Sequence, residues 1–209
     1  MTDWLEIHRG DAPLVVSFPH TGTELPTFVA ARLISPWLAR KDADWWIDRL
    51  YDFAPSLGAT TIRTAISRTV IDVNRDPSGA SLYPGQATTE LCPTTTFDGE
   101  LPNFNIGTNS GASCDPALTM AVEQACDASA FSRVTNGRFK GGWTTRRYGQ
   151  PGAGIHALQM ELACRGYMDE PTETPTAATW PAAYDPHRAA PMRAALTQVL
   201  EAALAFARS

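Results

Sequence analysis

Short apolar runs rich in β-branched residues alternate along this chain with segments of helical periodicity, and that alternation restricts the fold more than any other feature. Leu14-Val15-Val16-Ser17-Phe18 reads as a buried strand. Pro19 closes it, and His20-Thr21-Gly22-Thr23 forms the loop beyond. From Pro36 to Leu57 the pattern is helical, with Trp37, Ile47, Leu50, Phe53 and Leu57 on an inner face and Gly58 as the stop. Ala59 to Ile66 reads as a second strand and Val70-Ile71-Asp72-Val73 as a third, followed by turn chemistry from Asn74 to Gly79. Asp115 and Pro116 open a helix running to about Ala130. His156 to Ala163 alternates enough for a strand, with a helix as the alternative, and Arg188 to Arg208 is a terminal helix rich in Ala and Leu. Strands alternating with helices imply an α/β layer fold, in which sites gather where strands end and loops begin.

The remaining segments are connectors. Residues 79 to 113 are rich in Gly, Pro, Thr and Asn, which is long for a loop inside a compact domain. Gly137 to Gly154 is polar, with Lys140, Arg146 and Arg147, and residues 171 to 186 form a Pro/Thr/Ala stretch. The length of 209 residues fits a single domain with a substantial core. A net charge of −5, with no sizeable Lys/Arg cluster, argues against nucleic acid as a partner. Cys92, Cys114, Cys126 and Cys164 form no C-x-x-C pair, which signals no thiolate zinc site and suits a reducing compartment. The first residues lack the pattern of a signal peptide, and no apolar run approaches the ~20 residues that span a bilayer. A cytoplasmic protein without membrane contact is expected.

Four places could carry chemistry. His20 follows a buried strand, with a rigid Pro before it and Gly22 close after, so a ligand could approach its imidazole. From position alone an ordinary turn histidine is an equally good reading. Asp42, Asp44 and Asp48 flank Trp45 and Trp46, and a carboxylate paired with His20 would make a normal set of metal ligands. The helix dipole explains one such acid well and three less well. Arg68 and Arg75 bracket the Val70–Val73 run, and two guanidinium forks there could hold a dicarboxylate. Pairing of those arginines with Asp72 or Asp76 is the simpler alternative. Glu161 is an acid inside an apolar run, where partial burial would suit a general base, although an exposed alternate position fits the spacing as well.

Taken together, these phrases resemble the N-formylglutamate amidohydrolase (N-formylglutamate deformylase) family. The resemblance rests on Ser17-Phe18-Pro19-His20-Thr21-Gly22, on Asp42-Ala43-Asp44-Trp45 with Asp48-Arg49-Leu50-Tyr51, and on Ser67-Arg68 to Asn74-Arg75. It continues through Leu82-Tyr83-Pro84-Gly85-Gln86, Thr89-Glu90-Leu91-Cys92-Pro93-Thr94 and Gly137-Arg138-Phe139-Lys140-Gly141-Gly142. It closes on Gly154-Ile155-His156-Ala157-Leu158-Gln159-Met160-Glu161 and Tyr167-Met168. The resemblance implies a fold like that of the zinc carboxypeptidases and aspartoacylases, a mixed sheet flanked by helices. It implies zinc-dependent hydrolysis of N-formyl-L-glutamate, a small N-acyl amino acid, to formate and L-glutamate late in histidine degradation. It also implies His20 and Asp44 as metal ligands, with Asp48 the second choice for the carboxylate. Arg68, Asn74 and Arg75 match substrate-carboxylate and carbonyl-polarising positions, with Arg68 also stabilising the oxyanion. Glu161 matches the general acid/base, and Lys140 and Arg146 are candidates for the second carboxylate.

The chain departs from the family pattern at one place. Thr94-Thr95-Thr96-Phe97-Asp98-Gly99-Glu100 runs directly into Leu101-Pro102-Asn103-Phe104-Asn105. In the family a long segment separates two such phrases and carries the last zinc-ligand histidine. An internal deletion near residues 100/101 of the single domain is therefore expected, with a central segment of the sheet absent. His8, His20, His156 and His187 are the histidines present, and Glu24 or His156 would have to complete the ligand set. Without a complete set, the alternative is a degenerate module that binds dicarboxylates or N-acyl amino acids through Arg68 and Arg75 without turnover.

Overall fold

The computed structural model describes residues 4–81 and 102–209. The expected junction at 100/101 and the motifs from Leu82 to Thr94 lie outside the described residues. The chain is α/β and divides into two compact units, Met1–Asp98 with Pro171–Ala183, and Gly99–Glu170 with Tyr184–Ser209.

The first unit holds strands β1 (Leu5–His8), β2 (Val15–Phe18) and β3 (Thr60–Thr64) and helices α1 (Thr27–Ala30), α2 (Pro36–Lys41) and α3 (Ile47–Leu50). Its sheet has the order β1-β3-β2, with β1 antiparallel and β2 parallel to β3. β2 and β3 match the two expected strands. β1 was not expected, because Leu5-Glu6-Ile7-His8 is short and mostly exposed at an edge. The expected helix from Pro36 to Leu57 is broken. α2 stops at Lys41, and Trp46 takes left-handed φ of 65° before α3 begins. Between them the Asp44 amide donates to the His20 carbonyl at 2.9 Å, so tertiary pairing replaces helix continuation.

The expected strand at Val70–Val73 is also not formed. The Val70 amide donates to the Ser67 carbonyl, and the Asn74 amide donates to Asp72 Oδ1, folding the segment into consecutive turns. A buried side-chain acceptor here outcompetes a ladder, as short acidic side chains often do. The connector 171–183 returns to this unit. The Trp46 and Trp180 indoles donate to the Ala182 and Lys41 carbonyls at 2.8 and 2.9 Å.

The second unit holds β4 (Phe104–Gly107), α4 (Pro116–Asp127), β5 (Arg133–Thr135), α5 (Trp143–Tyr148), β6 (Gln159–Leu162) and α6 (Pro186–Ala207). Its sheet has the order β5-β4-β6, with β5 parallel and β6 antiparallel to β4. α4, β6 and α6 match expectation, and Asp115 and Asp185 cap α4 and α6 through side-chain acceptors. β4 lies in the stretch read as loop, and α5 in the polar loop. Asn105 and Gly107 look like turn residues, yet every residue of β4 is buried. α6 buries Ala189, Met192, Leu196, Leu200 and Leu204, a spacing of three and four that forms one stripe. α4 contributes Leu118, Val122 and Cys126 to the same core.

One glycine fixes where the first unit's strand-end loop lies. A Cβ on Gly22 would sit 2.6 Å from the Ala65 carbonyl oxygen, closer than any side chain tolerates. Gly22→Ala is expected to lower unfolding free energy by about 1–3 kcal/mol, the usual cost of overpacking, read by denaturant melts of variant and parent.

Candidate metal and catalytic site

The end of β2 delivers His20 into the interior, where it is 7% exposed. Its Nε2 donates to Asp72 Oδ1 at 2.7 Å, and its Nδ1 stands 3.5 Å from Asp44 Oδ2. Asp44 arrives through the backbone bond of its amide to the His20 carbonyl. Asp48 is engaged elsewhere, 3.3 Å from Arg63.

Asp72 has no solvent exposure. Besides His20 it accepts from the Asn74 amide at 2.9 Å and from Arg68 Nη2 at 2.7 Å, with Arg75 Nη1 at 3.5 Å. Both arginines of the sequence motif therefore converge on one buried carboxylate, as the simpler sequence reading had it. Ser67 and Thr69 hydroxyls donate to the Ala39 carbonyl at 3.1 and 2.6 Å, pinning the turn that carries Arg68 to the end of α2.

Burial alone would raise the pKa of Asp72, but the hydrogen bond and charge of His20, with Arg68 and Arg75, hold it far below the usual carboxylate range. Burial and the Arg68 charge pull the His20 pKa down. Hydrogen bonds to Asp44 and Asp72 outweigh them and leave it raised.

This geometry bears on a metal. With zinc bonds of about 2.0–2.1 Å at a tetrahedral angle, two ligand atoms lie roughly 3.4 Å apart. The Nδ1–Oδ2 separation of 3.5 Å is close to that edge. Asp72 behind Nε2 is the outer carboxylate that commonly orients a ligating imidazole. The third donor is not found among the described residues, where no group of three His, Cys, Asp or Glu side chains is arranged to hold a metal. Neither sequence candidate for it joins His20. Glu24 is exposed, its backbone paired with Ile66. His156 Nδ1 accepts from the Asp115 amide at 3.1 Å, with its ring edge-on to Phe206. Among the described residues, His20 and Asp44 are thus spaced as two zinc ligands would be, and no third donor joins them.

In the second unit, Glu161 lies half-buried on β6, directly opposite Asn105 of β4. Its Oε1 accepts from Gln159 Nε2. Arg146 Nε donates to the Gly141 carbonyl at 2.9 Å, and the Lys140 carbonyl accepts from the Asn109 amide. Sequence reasoning named Asp72 only as a partner for the arginines, not for His20, and missed Gln159. Asp72 carried a usable signal, an acid within the apolar run Val70–Val73, the same signal that marked Glu161.

The chain matches the family model described as N-formylglutamate amidohydrolase over residues 12–102 and again over 96–168. It is 37% identical to a Pseudomonas aeruginosa protein named N-formylglutamate deformylase, covering 100% of this chain and 98% of that one. It is 35% identical to a Pseudomonas putida protein of the same name, covering 97% and 96%. The alignment with the first runs over 271 positions against the 209 residues here, so about sixty of them have no counterpart in this chain. In fold it is similar to a crystal structure of N-formylglutamate amidohydrolase from Ralstonia eutropha, with a TM-score of 0.79, 18% identity and 98% coverage of both chains.

Asp72→Ala is expected to destabilise the protein by roughly 3–5 kcal/mol, because it leaves buried charges uncompensated; chemical denaturation reads this. The dyad also sets a pH window in metal-free protein. The raised His20 contributes fully below about pH 6.5 and loses its contribution as pH rises through its folded value; the depressed Asp72 contributes fully above about pH 3.9 and loses it as pH falls. The thermal midpoint of chelator-treated protein is expected to peak between those limits, and Asp72→Asn to flatten the profile.

Proposed function

The chain belongs to the N-formylglutamate amidohydrolase family, and from that premise we propose that it hydrolyses N-formyl-L-glutamate to formate and L-glutamate. The observation that carries this reading is the 37% identity, over the whole chain, to a protein named for that reaction. His20 and Asp44 of the first unit would hold a metal, with Asp72 fixing the imidazole through Nε2. A zinc ion, when bound, would polarise the formyl oxygen and lower the pKa of its water to roughly 7.

The other roles belong to side chains of this protein. Glu161 takes the proton from the attacking water and returns it to the leaving amine. Arg68 and Arg75, anchored by Asp72, offer guanidinium forks to a substrate carboxylate and to the developing oxyanion, with Asn74 beside them. Lys140 and Arg146 take the second carboxylate. The free thiols of Cys114 and Cys126 support a reducing, cytoplasmic compartment, and no helix among the described residues is long and apolar enough to cross a membrane.

The overlap of the two family-model matches at 96–102 supports an internal deletion between similar phrases. A deletion that removes a third ligand weakens metal affinity more than it alters the residues that face substrate. Purified protein supplied with zinc is therefore expected to release formate from N-formyl-L-glutamate, to stop on chelation and to recover on zinc addition. Glu161→Gln is expected to lose on the order of 100-fold or more in turnover. Calorimetric binding of glutamate without any formate release would overturn turnover and leave the dicarboxylate-binding reading.

A further inference from the structure

Gln159 and Glu161 stand two residues apart on β6 and so share one face of the sheet. Across the ladder they oppose Gly107 and Asn105, which places four non-apolar positions together on that face. The loop from Phe139 to Gly142 is fastened over it. Asn105 Nδ2 donates to the Phe139 carbonyl at 2.5 Å, and Arg146 holds the Gly141 carbonyl. Gly107 permits the approach, since a Cβ there would lie 2.6 Å from the Gly141 nitrogen. Gly141 itself has φ of +115°, which disfavours any other residue.

That fastening presents the Gly142 amide to Gln159, which accepts it through Oε1 at 2.6 Å. An N–H donor on Oε1 settles which end of the side-chain amide is which. Nε2 is then the end that meets Glu161, and it donates to Oε1 of that carboxylate. The opposite orientation would set a carbonyl against a carboxylate and leave the Gly142 amide facing an NH2 group.

We propose that Gln159 is the positioning residue for Glu161, holding its carboxylate ionised and in a single orientation through an amide relay anchored on Gly142. The proposal rests on the reading of Glu161 as general base. A base must be ionised to accept a proton, and a donor fixed on one oxygen favours that form and restrains the carboxylate's orientation. The ionisable groups on the elements covering this face are Lys140 of the loop, Arg138 just before it, and Arg146, Arg147 and Tyr148 of α5; β4 carries none.

The test is a pH titration of the Glu161 side-chain carboxyl by NMR in protein labelled with 13C-glutamate, its resonance identified by its loss in Glu161→Gln. In Gln159→Leu the midpoint is expected to rise by about one pH unit. The acidic limb of kcat/KM should move with it, and kcat should fall about 10–100-fold, as for other supporting residues, with KM little changed. A purely structural role would lower the thermal midpoint and leave the Glu161 titration in place. Should Gln159→Leu fail to fold, Gln159→Glu keeps the size and sets a like charge beside Glu161, which should raise the midpoint further. A folded variant with the parent's midpoint and kcat overturns the proposal. Turnover surviving in Glu161→Gln overturns the base assignment alone, and the titration then still decides whether Gln159 holds Glu161.

Discussion

A carboxylate without solvent exposure has to be neutralised from within the protein, and Asp72 is neutralised by His20, Arg68, Arg75 and the Asn74 amide. These partners come from the end of β2 and from the turns after β3. Meeting at one point, they tie the loop after β2 to the turns after β3 beyond the single backbone bridge at Glu24 and Ile66. The same convergence decides the chemistry of His20. With Nε2 committed to Asp72, only Nδ1 can serve a ligand, and it faces Asp44. The arginines gain fixed positions at the cost of part of their charge, so whatever anion they receive is met by forks already oriented.

The second unit solves a related problem by different means. Glu161 is half-buried on a strand and accepts from the neutral Gln159 amide. An amide between a backbone N–H and a carboxylate imposes direction without adding charge. Under the proposed assignment of Glu161 as general base, a neutral donor orients the carboxylate while lowering its proton affinity less than a cation would.

Some of this was legible in the sequence and some was not. β2, β3, α4, β6 and α6 follow from apolar spacing and caps, because burial and capping are local and periodic. β1 and β4 did not. β1 is a short edge strand, and Asn105 and Gly107 of β4 are chosen for the loop that covers them, a tertiary reason with no local signature. The helix from Pro36 to Leu57 failed at Asp42–Trp46, where the bond from the Asp44 amide to the His20 carbonyl overrides propensity. Val70–Val73 reads as a strand by composition, but the Asp72 carboxylate turns the backbone back on itself. His20, Asp44, Arg68 and Arg75 were singled out from the family phrases; the structure gathers His20, Arg68 and Arg75 around Asp72, with Asp44 beside His20 and Arg68. Glu161 came from the same phrases; its partner Gln159 emerged only from side-chain geometry.

The most direct measurement is a 15N–1H correlation spectrum of the imidazole ring of His20. In metal-free protein near neutral pH, a protonated Nε2 in a strong hydrogen bond is expected, and zinc should shift Nδ1 while Nε2 keeps its proton. In Asp72→Asn the Nε2 proton should lose its protection from exchange. An unprotonated Nε2, or a Nδ1 resonance that ignores zinc, would contradict the view that Asp72 orients His20 for a metal.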